Sequence, residues 1–243
     1  MTAGVLAVTI TIGSHITWKV FGQTIDVDTV LSTLVAGAII LGTGFYLRAE
    51  ATSGAPGRLQ LAVETILDAV DGEVATTMGE AGRPIIPLAF TLFAFILIAN
   101  WLELIPTGHS PQYLPAPAAD INFTAALALF VIVLVHATWI RRQGWRNYLG
   151  HYFRPYKIMF PINVIEELVK PFTLALRLFG NIFAGAVVLL IVVDLIPAKL
   201  IAPIPIVDVV WKLFAGGLIG PIQALIFALL TIVYFEAAIT GGE

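Results

Sequence analysis

The stretch Lys170-Pro-Phe-Thr-Leu-Ala-Leu-Arg177-Leu-Phe-Gly-Asn181 decides how this chain is interpreted, because it sets one arginine inside a long apolar run. From Pro171 to Val193, Arg177 is the only charged residue. An arginine at membrane depth costs at least about 2.5–3.5 kcal/mol, so such residues are rare and normally face protein or water. The alternative is an arginine that snorkels from a helix end, but Lys170 already occupies that place. The pattern therefore favours a functional role for Arg177 inside a membrane.

The composition supports a membrane protein. The chain has 243 residues, of which 58% are hydrophobic and 12% charged, whereas soluble domains carry about 25% charged residues. The net charge is −3 and no basic block is present, so nucleic acid is not an expected partner. There is no cysteine, which excludes disulfides and cysteine-bound metal, and we expect neither a metal nor a cofactor.

The apolar runs predict an all-α integral membrane protein with about five membrane helices and one amphipathic surface helix. The last two membrane helices are expected to form a long, strongly tilted hairpin. The run from Ile162 to Ile196 would measure about 52 Å as a helix, whereas the bilayer core is about 30 Å thick. This helix must therefore tilt or bend at Pro171. The last helix is also too long and can bend at Pro221. We expect an exposed segment at 1–28 and one membrane domain at 29–243, with helices at about 29–48, 58–79 (surface), 84–105, 120–141, 160–196 and 205–240.

The charge distribution predicts the orientation. The densest basic stretch runs from Arg141 to Lys157 and is mixed with Trp and Tyr, which is typical of a cytoplasmic loop. Nucleic-acid binding is the less favoured interpretation of such a stretch beside two membrane spans. The loop 106–119 has no Lys or Arg, so we place it outside, with the N-terminus outside and the C-terminus in the cytoplasm.

Polar residues gather on one face of each long helix. At about 100° per residue, the face that carries Arg177 spans roughly 80°, with Glu166 at its edge and Asp194 on the opposite side. It holds Asn163, Glu167, Lys170, Arg177 and Asn181. On the last helix, one face holds Asp208, Lys212, Gly216, Gly220, Gln223 and Tyr234. Gly216 and Gly220 on this face have two possible roles. They allow a neighbouring backbone or water to approach closely, or they form an ordinary helix-packing contact of small residues, and both interpretations stay open.

The motif Leu174-Ala-Leu-Arg177-Leu-Phe-Gly-Asn181 resembles the signature of subunit a of the F-type ATP synthase, of the bacterial type. Four further stretches resemble that family as well, and the likeness runs from about residue 29 to the end. They are Pro161-Ile-Asn-Val-Ile-Glu-Glu-Leu-Val-Lys-Pro171, Gln223-Ala-Leu-Ile-Phe-Ala-Leu-Leu-Thr-Ile-Val-Tyr234, Asn100-Trp-Leu-Glu-Leu-Ile-Pro106 and Asp120-Ile-Asn122.

The resemblance implies a stator subunit of the F0 motor, which is no enzyme on its own and provides two proton half-channels that couple proton flow to rotation and ATP synthesis. Arg177 would be the essential arginine facing the carboxylate of a ring of c subunits. Asn181 and Gln223 match polar positions lining that site, and one of Glu166 and Glu167 matches an acid of the inner half-channel. The implied partners are the c ring, the peripheral-stalk b subunits, indirectly the F1 sector, and the lipid of a bacterial inner membrane.

The chain departs from the family pattern in the outer half-channel. Ala186 and Gly216 stand where some members have an acid and a histidine. The outer relay must then use water or other groups, and the local candidates are Asp194, Glu103, Asp120 with its neighbour Asn122, and Asp208.

The physics of such a site is consistent with the resemblance. A carboxylate must be neutral to cross lipid. It releases its proton beside an arginine and takes one up in an apolar setting. Two other classes of membrane protein remain as alternatives. A secondary membrane transporter often contains internal repeats, and we see no repeat in this sequence. A purely structural anchor would not need Arg177.

Overall fold

The computed structural model describes residues 17–20, 23–52, 54–104, 116–153, 156–195, 209–210 and 213–240. Its first element is a short β-hairpin, formed by β1 (Thr17–Val20) and β2 (Gln23–Asp26) with Thr17 opposite Asp26. Helix α1 (Val27–Glu50) follows at once. Asp28 is only 4% exposed, and its Oδ1 accepts a hydrogen bond from the backbone N–H of Thr29 at 2.9 Å. The sequence analysis predicted neither the hairpin nor this buried acid.

The second and third helices are joined by one tight connection. Helix α2 (Arg58–Met78) leads through a 3-10 turn (Gly79–Ile85) into α3 (Ile86–Trp101). In α2 only Val70, Val74 and Met78 are buried; they recur every four residues and make one apolar stripe. The remainder of α2 carries its acidic residues toward the surface, as the amphipathic pattern predicts.

The described residues form four further α-helices: α4 (Ile121–Gln143), α5 (Trp145–His151), α6 (Phe160–Leu195) and α7 (Gly220–Thr240). Short 3-10 turns lie at Leu102–Leu104, Pro117–Ala119 and Lys157–Met159. Helix α7 packs against α3 and α4, α1 packs against α3, and α6 packs against α4. The core between them is built by Phe227, Phe235, Ile96, Val131 and Leu174 among others. Helix α6 therefore lies at one side of the bundle, with α4 as its main support.

The two prolines of the long helices behave differently. Helix α6 is one helix of 36 residues that continues through Pro171, and its length is about 54 Å. Ahead of Pro221 the chain forms a π-helix, Ala215–Ile219. Because Pro221 has no N–H and its ring clashes with the carbonyl four residues earlier, a widened turn at this place accommodates it. The connection at 196–208, which includes Asp208, lies outside the described residues.

Four helical segments of the described chain are long and apolar enough to cross a membrane: Val27–Glu50, Arg58–Trp101, Ile121–Gln143 and Ala215–Thr240. Helix α6, at 36 residues, is longer than the roughly 20 residues that a crossing needs. The predicted class, an all-α integral membrane protein of about five membrane helices, is confirmed.

Candidate functional site

Arg177 lies at the border between two faces of α6. Leu174 and Leu178 are 0% and 1% exposed and pack into the core, whereas Phe172 and Leu176 are 67% and 53% exposed. The Arg177 side chain is itself on the exposed side. Among the described residues it has no hydrogen-bond or ion-pair partner. A cation on an apolar surface is stable only beside water or another polar or charged group.

About two helical turns before Arg177, three charged or titratable side chains meet between α6 and α4. Lys170 Nζ lies 2.6 Å from Glu167 Oε2, and His136 Nε2 of α4 lies 3.5 Å from Glu167 Oε1. All three side chains are partly buried: Lys170 is 24% exposed, Glu167 14% and His136 23%. Lys170 Nζ also lies 5.8 Å from the centre of the Tyr234 ring of α7. Each Glu167 oxygen thus faces a different nitrogen.

The imidazole of His136 is fixed from two sides. Its Nδ1 lies 2.8 Å from the backbone carbonyl oxygen of Ile132, one turn earlier in α4. The Tyr148 ring of α5 packs edge-on at 5.7 Å between ring centres. A carbonyl oxygen only accepts hydrogen bonds, so we assign the N–H to Nδ1. Nε2 is then the nitrogen that can gain or lose a proton opposite Glu167.

Next to this cluster lies a polar cleft of about 50 Å³, lined by His151, Tyr152, Asn163, Glu166, Glu167 and Lys170. That volume holds a few water molecules. The Tyr148 and Tyr152 hydroxyl oxygens lie 2.9 Å apart, and Asn163 Nδ2 donates to the Tyr152 carbonyl oxygen at 3.0 Å. Burial, the bond to Tyr148 and the nearby negative charge of Glu167 raise the pKa of Tyr152, so its hydroxyl stays protonated.

The structure separates the two glutamates that the sequence left equivalent. Glu166 is exposed and lines the cleft from its outer side, while Glu167 is half-buried and paired. The structure therefore brings Asn163, Glu166, Glu167 and Lys170 together at one cleft.

The structure describes only some of the residues predicted to line the outer half-channel. Asp120 is 9% exposed, and its Oδ1 accepts a hydrogen bond from the Asn122 backbone N–H at 2.8 Å, which caps the start of α4. Capping accounts for the position of Asp120 without a role in proton transfer, and that role stays a prediction. The side chains of Glu103, Asn181 and Asp194, and all of Asp208, lie outside the described residues.

The glycines before Pro221 meet large neighbours. A Cβ on Gly216 would lie 2.8 Å from Leu104 Cγ, and one on Gly220 would lie 3.2 Å from Asn100 Cβ. Asn100 is 4% exposed, and its Nδ2 reaches the Gly220 carbonyl oxygen at 3.5 Å. Close packing of α3 against Gly220, and of the 3-10 turn after α3 against Gly216, therefore explains both glycines. It also explains why no histidine stands at Gly216, since Leu104 occupies the space. Gln223 is buried at 4% exposure, next to core residue Ala224.

His136 was not among the candidate residues from the sequence. A signal was present, since it is the only titratable residue between Ile121 and Ile140, and ionisable groups inside a span are functional candidates by default. Its proximity to Glu167 could not be read from the sequence.

These features define an integral membrane protein whose long helix carries titratable side chains and an exposed arginine that no described residue pairs. Ionisable residues inside membrane segments typically mark ion and proton pathways. The chain belongs to the ATP synthase A chain family, whose sequence model matches residues 30–236. ATP synthase subunit a of Acidothermus cellulolyticus is 49% identical over 98% of this chain and 87% of its own length. The Mycobacterium marinum subunit a is 44% identical over 100% and 99%. That of Moorella thermoacetica is 40% identical over 88% and 91%.

This membership establishes the function in outline. The chain is a proton-translocating stator subunit of the F0 sector and works in association with the rest of the ATP synthase complex; it is not itself catalytic.

Proposed function

We propose that Arg177 faces the proton-carrying carboxylate of a rotating ring of c subunits and separates two proton half-channels. The observation that supports this is its position: an exposed cation at the border of an exposed apolar face, without a partner in the described part of its own chain. A ring of helices that presents one carboxylate per subunit would supply both the apolar contact and the missing counter-charge.

The arginine determines where the ring carboxylate is ionised, and the proton gradient determines the direction of rotation. A carboxylate beside Arg177 is stabilised as the anion and gives up its proton, and one that leaves the arginine for lipid must first take a proton up. Arginine suits this place better than lysine because it keeps its charge when desolvated. With about 2.3 kcal/mol per proton per 100 mV of membrane potential, each transfer drives the ring one step.

The inner half-channel of this proposal begins at the polar cleft. Glu166 and Glu167 lie ten or eleven residues before Arg177, about 15 Å along α6, and Lys170 lies between them and the arginine. Asn163 and the few water molecules that the cleft can hold complete a polar route on this side. Asn181 and Gln223 are proposed to line the exchange site near Arg177.

For the outer half-channel we propose Asp194, Glu103, Asp120, Asn122 and Asp208, together with water. The remaining proposed partners are the peripheral-stalk b subunits. The basic residues from Arg141 to Lys157 support a cytoplasmic position for that loop in a bacterial inner membrane, with the N-terminus outside and the C-terminus inside.

Replacement of Arg177 tests the proposal. Arg177→Ala should abolish ATP-driven acidification of inverted vesicles at normal complex content. It should also raise the passive proton leak of membranes stripped of the F1 sector, because the barrier between the half-channels is gone. Arg142→Gln is the matched control, since it removes an exposed cation whose contact within the described part of the chain is with the Ala81 carbonyl oxygen, at 3.2 Å. Near-normal pumping by assembled Arg177→Ala complexes would refute the assignment.

A further inference from the structure

The inner cluster contains one titratable residue whose role the family relationship leaves open. His136 enters from α4 and meets Glu167 of α6 at 3.5 Å between Nε2 and Oε1. The other Glu167 oxygen is bonded to Lys170 at 2.6 Å. The carboxylate therefore already has a counter-charge on its own helix. His136, in contrast, presents Nε2 to this carboxylate, and imidazole is a side chain that commonly serves as a proton shuttle in proteins.

The geometry assigns the exchangeable proton to one atom. Nδ1 donates to the Ile132 carbonyl at 2.8 Å in every protonation state, so only Nε2 changes. When Nε2 carries no proton, its lone pair faces a carboxylate oxygen, and the two repel each other. When Nε2 carries a proton, the same contact is a charge-assisted attraction that a small rotation of Glu167 tightens to a hydrogen bond.

The surroundings leave His136 free to exchange with water. Its side chain is 23% exposed. Among the described residues, the charged and titratable groups at this cluster and its cleft are Glu166, Glu167 and Lys170 on α6, Tyr148 and His151 on α5, Tyr152 directly after α5, and Tyr234 on α7. The neighbouring Tyr152 keeps its hydroxyl proton because burial and Tyr148 raise its pKa.

We propose that His136 is a proton carrier of the inner half-channel, with Glu167 as its counter-ion and Lys170 holding Glu167 in place. A proton arriving from the c ring passes through water to Nε2, which turns the imidazole into the imidazolium. The Nε2–H bond then breaks toward a water molecule on the cytoplasmic side, and the neutral imidazole is restored. This inference rests on the proposed function, since it needs a proton path along this side of α6.

The other role open to His136 is structural. Its bond to Ile132 and its edge contact with Tyr148 could simply fasten α5 to α4. A structural role would affect assembly equally at all pH values. A carrier role would change the pH dependence of proton flow.

The test measures passive proton conductance of the membrane sector, in vesicles stripped of F1 from cells that make the whole complex, from about pH 5.5 to 8.5. His136→Gln keeps a polar side chain that can face Glu167 but cannot exchange a proton. We expect the proton conductance near pH 6.5 to fall about tenfold and its pH dependence to flatten. A positioned acid–base group typically accelerates proton transfer about 10²-fold or more, and water replaces part of that contribution. Arg142→Gln removes a cation from the same helix and should keep the wild-type profile.

Two further variants make the result decisive. His136→Asn is the alternative where the glutamine variant assembles poorly. The exchange His136→Glu with Glu167→His keeps one acid and one imidazole at the contact, and should recover part of the conductance and its pH dependence. A wild-type profile in an assembled glutamine or asparagine variant would overturn the proposal. So would failure of all His136 variants to assemble while Arg142→Gln assembles.

The outcome is separable from that for the proposed function. If Arg177→Ala is inactive and His136→Gln is normal, only the carrier role of His136 fails. If Arg177→Ala pumps normally, the proposed exchange site itself is wrong.

Discussion

Glu167 accepts a hydrogen bond from Lys170 at 2.6 Å through one carboxylate oxygen and lies 3.5 Å from His136 Nε2 through the other, so this residue of α6 contacts both its own helix and α4. The i,i+3 spacing makes the first contact almost a property of the helix alone. The second contact depends on how α4 and α6 are packed. This difference gives the two neighbouring glutamates different predicted roles.

The first prediction concerns those glutamates. Glu167→Gln should lower passive proton conductance more than Glu166→Gln, because Glu167 carries the charge contacts with His136 and Lys170 whereas Glu166 is exposed. The double variant should conduct least and show a shifted pH dependence. Conductance is measured at matched complex content. A double variant that conducts like wild type would leave both residues structural and move the inner path elsewhere.

The second prediction separates two roles of Asp120. Asp120→Ala should destabilise the complex by about 0.5–2 kcal/mol, because the Asn122 backbone N–H loses its acceptor. Asp120→Asn keeps an acceptor oxygen and should assemble like wild type. If Asp120 also lies on the outer proton path, the asparagine variant assembles normally but conducts less. Normal assembly with unchanged proton flow would restrict Asp120 to capping.

The third prediction concerns the packing of the segment before Pro221. Gly220→Ala should destabilise the subunit by about 1–3 kcal/mol, since the new Cβ would lie 3.2 Å from Asn100 Cβ, an atom that moves only with its backbone. Gly217→Ala is the matched control, because nothing lies within 4 Å of its Cβ position. Thermal stability of the purified complex compares the two. Equal stability would mean that α3 and this segment are packed less closely.

The fourth prediction tests the orientation. The chain has no cysteine, so single cysteines can be probed with a membrane-impermeant thiol reagent on intact cells. Gln112→Cys in the loop without Lys or Arg should be labelled, and Asn147→Cys, at an exposed position of α5 in the basic stretch, should not. Labelling after cell lysis is the control for reactivity. Labelling of position 147 but not 112 on intact cells would reverse the topology.

The membrane helices of this protein could be predicted from the sequence alone, because whether a segment enters lipid depends on its local composition. Runs of about 20 apolar residues must form helices in lipid, so the spans around α1, α3, α4 and α7 follow from hydropathy. The charge pattern of α2 likewise fixed its amphipathic character. Arg177 stood out because a charge inside an apolar run is costly wherever that helix packs.

Only the tertiary structure decided which side chains meet. Whether His136 faces lipid or Glu167 depends on the rotation of α4 against α6, and helical spacing says nothing about a neighbouring helix. The same holds for Gly216, whose missing side chain is explained by Leu104 lying against it. Separating Glu166 from Glu167 also required the packed structure, since adjacent positions on a helix point about 100° apart and only one of them turns toward α4.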